Sequence, residues 1–256
     1  MRSSKLWLLF YDLHYPKHNK RTWAAAMDFA RQNPLAGFLY GGDQFHNDEI
    51  SHHNNGKPLY KPVGCFKENT LGFHRDILSP LEAVLPKDCT KVWLIGNHDR
   101  WEDDMAEGHP EFKGMVDRPT TLDLADRGWV VVPNGKAYRI SPNLKAIHGD
   151  QLQGIMGYMS MTPARRAVDL YGNVVFGHTH LAQSFSKVSP VETRKKQMAW
   201  NIPAGCDLNP EYMKNRPSGW VSGFGIGEMW KGGFNVYPVV VTDGRFSYGG
   251  KVYGKK

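Results

Sequence analysis

Short, largely apolar runs punctuate the first part of the chain, and each ends in a polar turn. They are Leu6–Tyr11, Gly37–Tyr40, Val92–Ile95, Leu144–Ile147 and Val174–Phe176. Runs of this length without strict alternation suit strands buried on both faces. Helical spacing lies between the early ones. Thr22–Gln32 is alanine-rich with apolar positions three and four apart. Asn69–Val84 is a second helix, interrupted near Pro80, and Gln153–Leu170 a third, with a break expected at Pro163. Strand, helix, strand order implies an α/β sheet. From Trp200 onward Gly, aromatic and β-branched residues dominate, and Phe234–Val241 with Arg245–Val252 reads as a hairpin closed at Asp243-Gly244. The expected fold is therefore α/β: a two-sheet β-sandwich flanked by helices. No domain boundary is visible, so residues 1–256 are taken as one domain. A polar, Pro/Gly-containing segment at about 46–72 interrupts it as a loop or lid.

Composition changes this picture little. With 256 residues, 41% hydrophobic and 22% charged, the chain is ordinary for a globular domain with a sizeable core. The net charge of +7 and pI near 9.2 favour polyanions, and DNA or RNA is a candidate partner on that ground. Cys65, Cys89 and Cys206 are odd in number and form no CxxC pair, which reads as small buried side chains in a reduced, cytoplasmic protein. The basic start Met1–Lys5 followed by Leu6–Tyr11 superficially resembles a signal peptide. The apolar run is too short, and it leads directly into Asp12-Leu13-His14, so a buried first strand is expected. No stretch is long and apolar enough to span a bilayer, and no membrane association is expected.

Polar residues with ligand chemistry follow all five apolar runs. Asp12 and His14 follow the first, Asp43 the second, Asn97 and His98 the third, His148 the fourth, His178 and His180 the fifth. In open α/β sheets, sites form beyond the carboxyl ends of strands. A single Asp or His after a strand is more often a loop or capping residue, but five strand ends can bring these side chains to one rim.

The motifs DxH (Asp12-Leu13-His14), GD (Gly42-Asp43), GNHD (Gly96-Asn97-His98-Asp99), HG (His148-Gly149) and GHTH (Gly177-His178-Thr179-His180) occur in the order found in the calcineurin-like metallophosphoesterases. The chain resembles that superfamily over about two thirds of its length. The resemblance implies that Asp12, His14 and His180 bind one metal, that Asn97, His148 and His178 bind a second, and that Asp43 bridges them. Such donors suit Mn first, with Fe, Zn, Co or Ni as alternatives. A bridging carboxylate holds two cations ~3.5–4 Å apart, the spacing used for in-line displacement at phosphorus by a metal-bridging hydroxide. Gly42, Gly96 and Gly177 precede ligands, where the backbone is expected to turn sharply off the strand. His98 matches the family's catalytic histidine, which stabilises the transition state or protonates the leaving oxygen.

Some relatives carry an Asp three positions after the bridging Asp, where it orients that histidine. Here the position is His46, leaving Asp48, Asp99 or neither for the task, and His46 itself as a substrate contact or a polar loop residue. The GDxxDRG and GNHE motifs of protein serine/threonine phosphatases are missing. GNHD with GHTH resembles the phosphodiesterase and repair-nuclease branches, and Arg127-Gly128-Trp129 adds a likeness to small bacterial and phage phosphoesterases. The expected function is hydrolysis of phosphodiester bonds, with a nuclease included. The alternatives are a phosphomonoesterase acting on a nucleotide or small molecule, and a non-catalytic scaffold.

Weaker candidates remain. His52-His53 offers an extra metal site or a lid, set against a solvated loop. Arg100 offers a phosphate contact or a surface ion pair. Arg165-Arg166 and Arg194-Lys195-Lys196 offer guides for an anionic polymer or plain solvated faces. Trp200, Trp220, Phe224 and Trp230 offer base stacking or core packing.

Overall fold

The computed structural model describes residues 4–51, 64–152, 162–188, 196–209 and 218–255. The five apolar runs are all strands: β1 (Lys5–Phe10), β2 (Leu35–Tyr40), β3 (Thr90–Leu94), β6 (Leu144–Ala146) and β7 (Val174–Phe176). The remaining strands are β4 (Trp129–Val132), β5 (Tyr138–Ser141), β8 (Gln183–Val188), β9 (Lys196–Asn201), β10 (Gly223–Trp230), β11 (Gly233–Val240), β12 (Arg245–Tyr248) and β13 (Lys251–Gly254). One sheet runs β11-β10-β1-β2-β3-β4 and the other β5-β6-β7-β9-β8. In the first, β1 to β4 are parallel, while β10 is antiparallel to both β1 and β11. In the second, β6, β7 and β9 are parallel, and β5 and β8 are antiparallel edges.

Alternation along β1 explains the layering. Trp7, Leu9 and Tyr11 point into the space between the sheets, where they pack with Leu39, Val92, Leu94, Val175, Trp200 and Ile202. Leu8 and Phe10 point outward and are covered by α1 (Lys20–Gln32), whose buried Trp23, Ala26, Met27 and Ala30 recur at helical spacing. Asn19 caps α1, accepting from the N–H groups of Arg21 and Thr22 at 3.1 Å each. On the outer face of the second sheet, α6 (Thr162–Tyr171) packs Ala164, Ala167 and Val168 against Val174 and Phe176. The architecture is the sandwich flanked by helices that the sequence predicts. No helix among the described residues is long and apolar enough to cross a membrane.

Three details differ from expectation. The second helix is made of α2 (Phe66–Phe73), a π turn over His74–Leu78 and α3 (Ser79–Glu82). The interruption thus precedes Pro80. The π turn, closed by Ser79 N–H donating to the His74 carbonyl, widens the backbone where the proline ring would otherwise strike the preceding turn. This helix starts inside the segment expected to be irregular, of which residues 52–63, with His52 and His53, lie outside the described residues. The C-terminal hairpin is β12–β13, turning at Gly249-Gly250, where φ is 58° and 78°. The Asp243-Gly244 turn forms, with φ of 50° and 74°, but it closes only a Thr242–Arg245 bridge, because β11 is already paired along its length with β10. The third helix begins at Thr162 with Pro163 in its first turn, where a missing N–H is harmless; residues 153–161 lie outside the described residues.

Two further helices, α4 (Asn97–Gly108) and α5 (Arg118–Thr121), were not anticipated. The signal for α4 was Asp99, whose carboxylate accepts from the Gly96 N–H at 3.0 Å and starts the helix.

Candidate metal centre

All five turns that carry the candidate ligands leave the carboxyl ends of their strands on one rim of the sandwich. The two sheets are tied together there. His178 N–H donates to Asp12 Oδ2 at 2.9 Å, His148 Nδ1–H donates to the Gly41 carbonyl at 2.9 Å, and Tyr11 O–H reaches the Val175 carbonyl at 3.3 Å. Asp12, His14, Asp43, His148 and His180 are all buried.

Asp43 sits at the centre. Its Oδ2 lies 3.3 Å from His148 Nε2 and 3.9 Å from His14 Nε2, while its Oδ1 accepts the His98 N–H at 2.9 Å. Asp12 Oδ1 is 3.6 Å from His180 Nε2, and Asn97 Oδ1 is 3.1 Å from His148 Nε2. Asp12, His14 and Asp43 form one compact donor group, and Asp43, His148 and His178 another, sharing Asp43. Donors ~2.1 Å from a common cation stand ~3.0–3.5 Å apart, close to what is seen. Asp12 Oδ1 and His14 Nε2 are buried without hydrogen-bond partners, an arrangement that is costly unless a cation meets them. The residues present therefore fit two divalent cations.

The electrostatics point the same way. Burial alone would raise the Asp43 carboxyl, yet His148, then His98 and His14, hold it well below the usual range. Burial opposes a charge on His148 as well, but Asp43 overrides it and its pKa rises to about 10. Burial and then the charge on His148 push His178 down to about 4.

The backbone is unusual at the same positions. Asp12, His14, Asp43, His178 and His180 have φ of 51°, 51°, 54°, 68° and 58°. Asp and His are among the few non-glycine types that enter this left-handed region. Of the three glycines expected to turn sharply, only Gly42 does so, at φ 101°. Gly96 and Gly177 are required for proximity instead. A Cβ on Gly96 would lie 2.2 Å from Asp43 Oδ1, and one on Gly177 would lie 2.6 Å from Asp12 Oδ2.

His98 opens α4 beside the cluster, its ring centroid 4.7 Å from that of His14. Its Nδ1 meets the main-chain carbonyl of His46 at 2.8 Å rather than a carboxylate. A carbonyl only accepts, so Nδ1 carries the proton and Nε2 is left for chemistry. Burial lowers the His98 pKa, against the raising influence of Asp43 and of this hydrogen bond. Asp99 instead binds Asp43 N–H at 2.8 Å and Gly96 N–H, and Asp48 lies 3.0 Å from His46 Nε2 and 2.6 Å from Lys17 Nζ. The His46 side chain turns to His14, with Nδ1 atoms 3.3 Å apart.

The weaker candidates separate. Arg100 is exposed and lies 3.6 Å from Asp104, a surface ion pair. Trp200 and Phe224 are core, and Trp230 is 44% exposed. Trp220 packs its ring 4.3 Å from His180, and Trp101, which the sequence reading passed over, lies 4.1 Å from His98. Arg165 and Arg166 are exposed on α6; Arg194 and Lys195 lie outside the described residues. Lys196 opens β9, which runs parallel to β7, so it stands at the opposite rim from the ligands, ~17 Å along the strand. All three cysteines are free. Cys65 is exposed rather than buried, because it precedes α2 at a helix start, and Cys206 Sγ is 3.8 Å from His180 Nδ1.

The fold has the two-sheet architecture of the metallophosphoesterases. No family model matches the chain. It is 28% identical over 189 residues to the Gene 54 protein of Mycobacterium phage L5, covering 70% of this chain and 71% of that one. Among solved structures it is similar to Vacuolar Protein Sorting 29 from Cryptosporidium parvum, at a TM-score of 0.52 and 15% identity, covering 99% and 100% of the two chains. Wild-type Vps29 of Entamoeba histolytica complexed with Zn²⁺ aligns more loosely, at a TM-score of 0.48 and 13% identity over 94% and 96%.

Proposed function

We propose that the protein is a two-metal phosphoesterase that hydrolyses phosphodiester bonds. The observation that carries this reading is the pair of donor groups sharing Asp43, with two buried donor atoms left unmatched at its edge. Asp12, His14, His180 and Asp43 would hold one cation, and Asp43, Asn97, His148 and His178 the other. Such cations would supply Lewis-acid stabilisation of the phosphoryl group and an activated water; Mn²⁺ is the ion to try first, with Fe, Zn, Co and Ni beside it, since a mixed set of imidazole, amide and carboxylate donors suits any of them.

The chain's own residues do the rest. His148 is locked by the Gly41 carbonyl so that Nε2 faces Asp43 and Asn97. His98, with its Nδ1 proton committed to His46, exchanges a proton at Nε2 with the reacting oxygens. Trp101 and Trp220, half-buried against His98 and His180, bring aromatic surface to the rim, which favours an ester bearing an aryl or nucleobase group. Together with the +7 charge this keeps DNA and RNA among the candidate substrates. The free thiols suit a reducing cytoplasm.

The experiment is a metal-supplemented screen comparing a bis-aryl phosphodiester, an aryl phosphomonoester, and single- and double-stranded DNA. Preference for the diester or DNA supports the proposal. Preference for the monoester would replace it with a phosphomonoesterase, and failure on all four with both metals bound would overturn it.

A further inference from the structure

The chemistry above leaves unused a buried ionic group centred on Arg118. Arg118, at the start of α5, is 1% exposed. Its Nη1 donates to Glu102 Oε1 at 2.8 Å and to Asn47 Oδ1, its Nη2 to Glu49 Oε1 at 2.6 Å, and its Nε to Thr70 Oγ1 at 3.1 Å. Its backbone N–H donates to Glu102 Oε2 at 2.8 Å. The guanidinium lies between two rings, 4.0 Å from the centroid of Phe45 and 3.9 Å from that of Phe66. Desolvating a guanidinium is costly unless its donors are met, and here each partner comes from a segment near the site: the turn after Asp43, α2 and α4.

We propose that Asn47 and Arg118 are positioning residues for His98, with Arg118 acting through Asn47; this rests on the phosphoesterase reading. The argument turns on the peptide between His46 and Asn47. Its carbonyl takes the His98 Nδ1 proton, and on its other side Asn47 sits at φ 57°. The Asn47 amide donates to the His98 carbonyl at 2.8 Å and to Glu102 Oε1 at 3.3 Å, while its oxygen faces Arg118. Asn47 therefore grips the ring and the main chain of the same histidine. A carboxylate side chain can rotate onto an imidazole, but a main-chain carbonyl is aimed only by its own backbone. With a main-chain carbonyl rather than a carboxylate on His98 Nδ1, that backbone has to be held, and the Arg118 fork holds it against α4.

The test is a set of variants in wild-type and His98→Ala backgrounds. Asn47→Asp keeps an acceptor for Arg118 but loses the amide donor to His98. Asn47→Gly keeps access to the left-handed backbone and loses both contacts. Arg118→Lys keeps the charge and loses the fork. Arg127→Met is the control, since it breaks a different part-buried pair, Arg127–Glu82 at 2.7 Å. On the bis-aryl diester, Asn47→Asp and Arg118→Lys should lower kcat by about 10–100-fold, a part of what a general acid–base group contributes, with KM and both metals retained. In the His98→Ala background they should cost nothing more, because they act through the missing ring. Equal losses in both backgrounds would overturn the proposal, as would losses matched by Arg127→Met. If Arg118→Lys does not fold, the two Asn47 variants decide alone. If the wild type hydrolyses no ester, the phosphoesterase reading fails, and a crystal structure of Asn47→Asp decides the clamp by itself. A displaced His98 ring supports it, and a ring still on the His46 carbonyl overturns it.

Discussion

Substituting alanine at Gly96 should weaken the proposed metal centre or its turnover without replacing any of the proposed ligands. Gly96 has φ −90° and ψ −176°, extended backbone open to any residue, so alanine is not excluded by conformation. The added methyl is excluded by Asp43: a Cβ would lie 2.2 Å from Oδ1, 2.4 Å from the backbone nitrogen and 2.9 Å from Cγ. Non-bonded heavy atoms settle at about 3.5 Å or more, so one partner must move by about 1 Å. Metal–ligand distances tolerate about 0.2 Å, and overpacking of this kind costs about 1–3 kcal/mol. If Asp43 yields, metal affinity should fall by about 10–100-fold, as for the loss of a supporting contact, or further. If the Gly96 backbone yields, the His98 N–H to Asp43 bond at 2.9 Å breaks and turnover falls with metals in place. The control is Gly108→Ala at the far end of the same helix, where a Cβ meets nothing within 4 Å. It should leave metals alone and add about 0.5–1 kcal/mol of stability. The assays are elemental analysis after gel filtration, calorimetric metal titration and diester hydrolysis. Wild-type metal affinity together with wild-type turnover in Gly96→Ala would refute the claim that this contact holds Asp43.

Thorough chelation should abolish hydrolysis and Mn²⁺ should restore it; full activity in a sample shown by elemental analysis to be metal-free would remove the mechanism. His98→Ala should keep both metals and lose about 10²–10⁴-fold in turnover, whereas Asp43→Asn should lose metal occupancy first; activity in His98→Ala that tracks a lost metal would reverse these roles. Lys196→Glu should leave hydrolysis of a bis-aryl diester unchanged, because the residue opens β9 at the rim opposite the ligands. If DNA binds, the same variant tests whether that rim takes part: an unchanged log–log salt slope excludes it, while a slope reduced by about 0.7–0.9 assigns it one phosphate.

What the sequence disclosed depended on how local the cause was. The parallel strands β1, β2, β3, β6 and β7 were legible because strands buried on both faces leave largely apolar runs. The polar residues after them were legible because the turn follows the strand directly. Strand β8, by contrast, has the exposure of an edge strand, and its Gln183-Ser-Phe-Ser-Lys-Val188 run carries too few apolar residues to announce itself. The error at the C-terminus had a competing partner as its cause. Phe234–Val241 and Arg245–Val252 both have strand character and a good turn between them, but whether β11 pairs forward or back with β10 is a long-range matter that turn chemistry does not decide. His98's partner was hidden for another reason: a main-chain carbonyl has no letter in the sequence. Asn47 and Arg118 belong together only because α4 and α5 fold back over the turn after Asp43, a juxtaposition spanning 71 residues.

The left-handed backbone at five proposed ligands joins these threads. A parallel strand that must turn abruptly at its carboxyl end would ordinarily use glycine there, as Gly42 does. Glycine brings no donor side chain, and on the proposed reading Asp12, His14, Asp43, His178 and His180 take the turn themselves. Each such residue carries local strain of about 1–3 kcal/mol unless its surroundings over-determine it. The surroundings do so through main-chain bonds: His14 N–H to the Asp43 carbonyl at 2.9 Å, Asp12 N–H to the Gly42 carbonyl at 3.1 Å, and Gly177 N–H to the His148 carbonyl at 2.7 Å. The turns thereby hold one another, first within a sheet and then between sheets. A rim built in this way keeps its donors in place before any cation arrives, because the backbone that aims them is fixed by the strands beneath. It follows that loss of a proposed donor, as in His14→Ala, should disturb metal binding more than folding, whereas a methyl forced in against Asp43, as in Gly96→Ala, should disturb both.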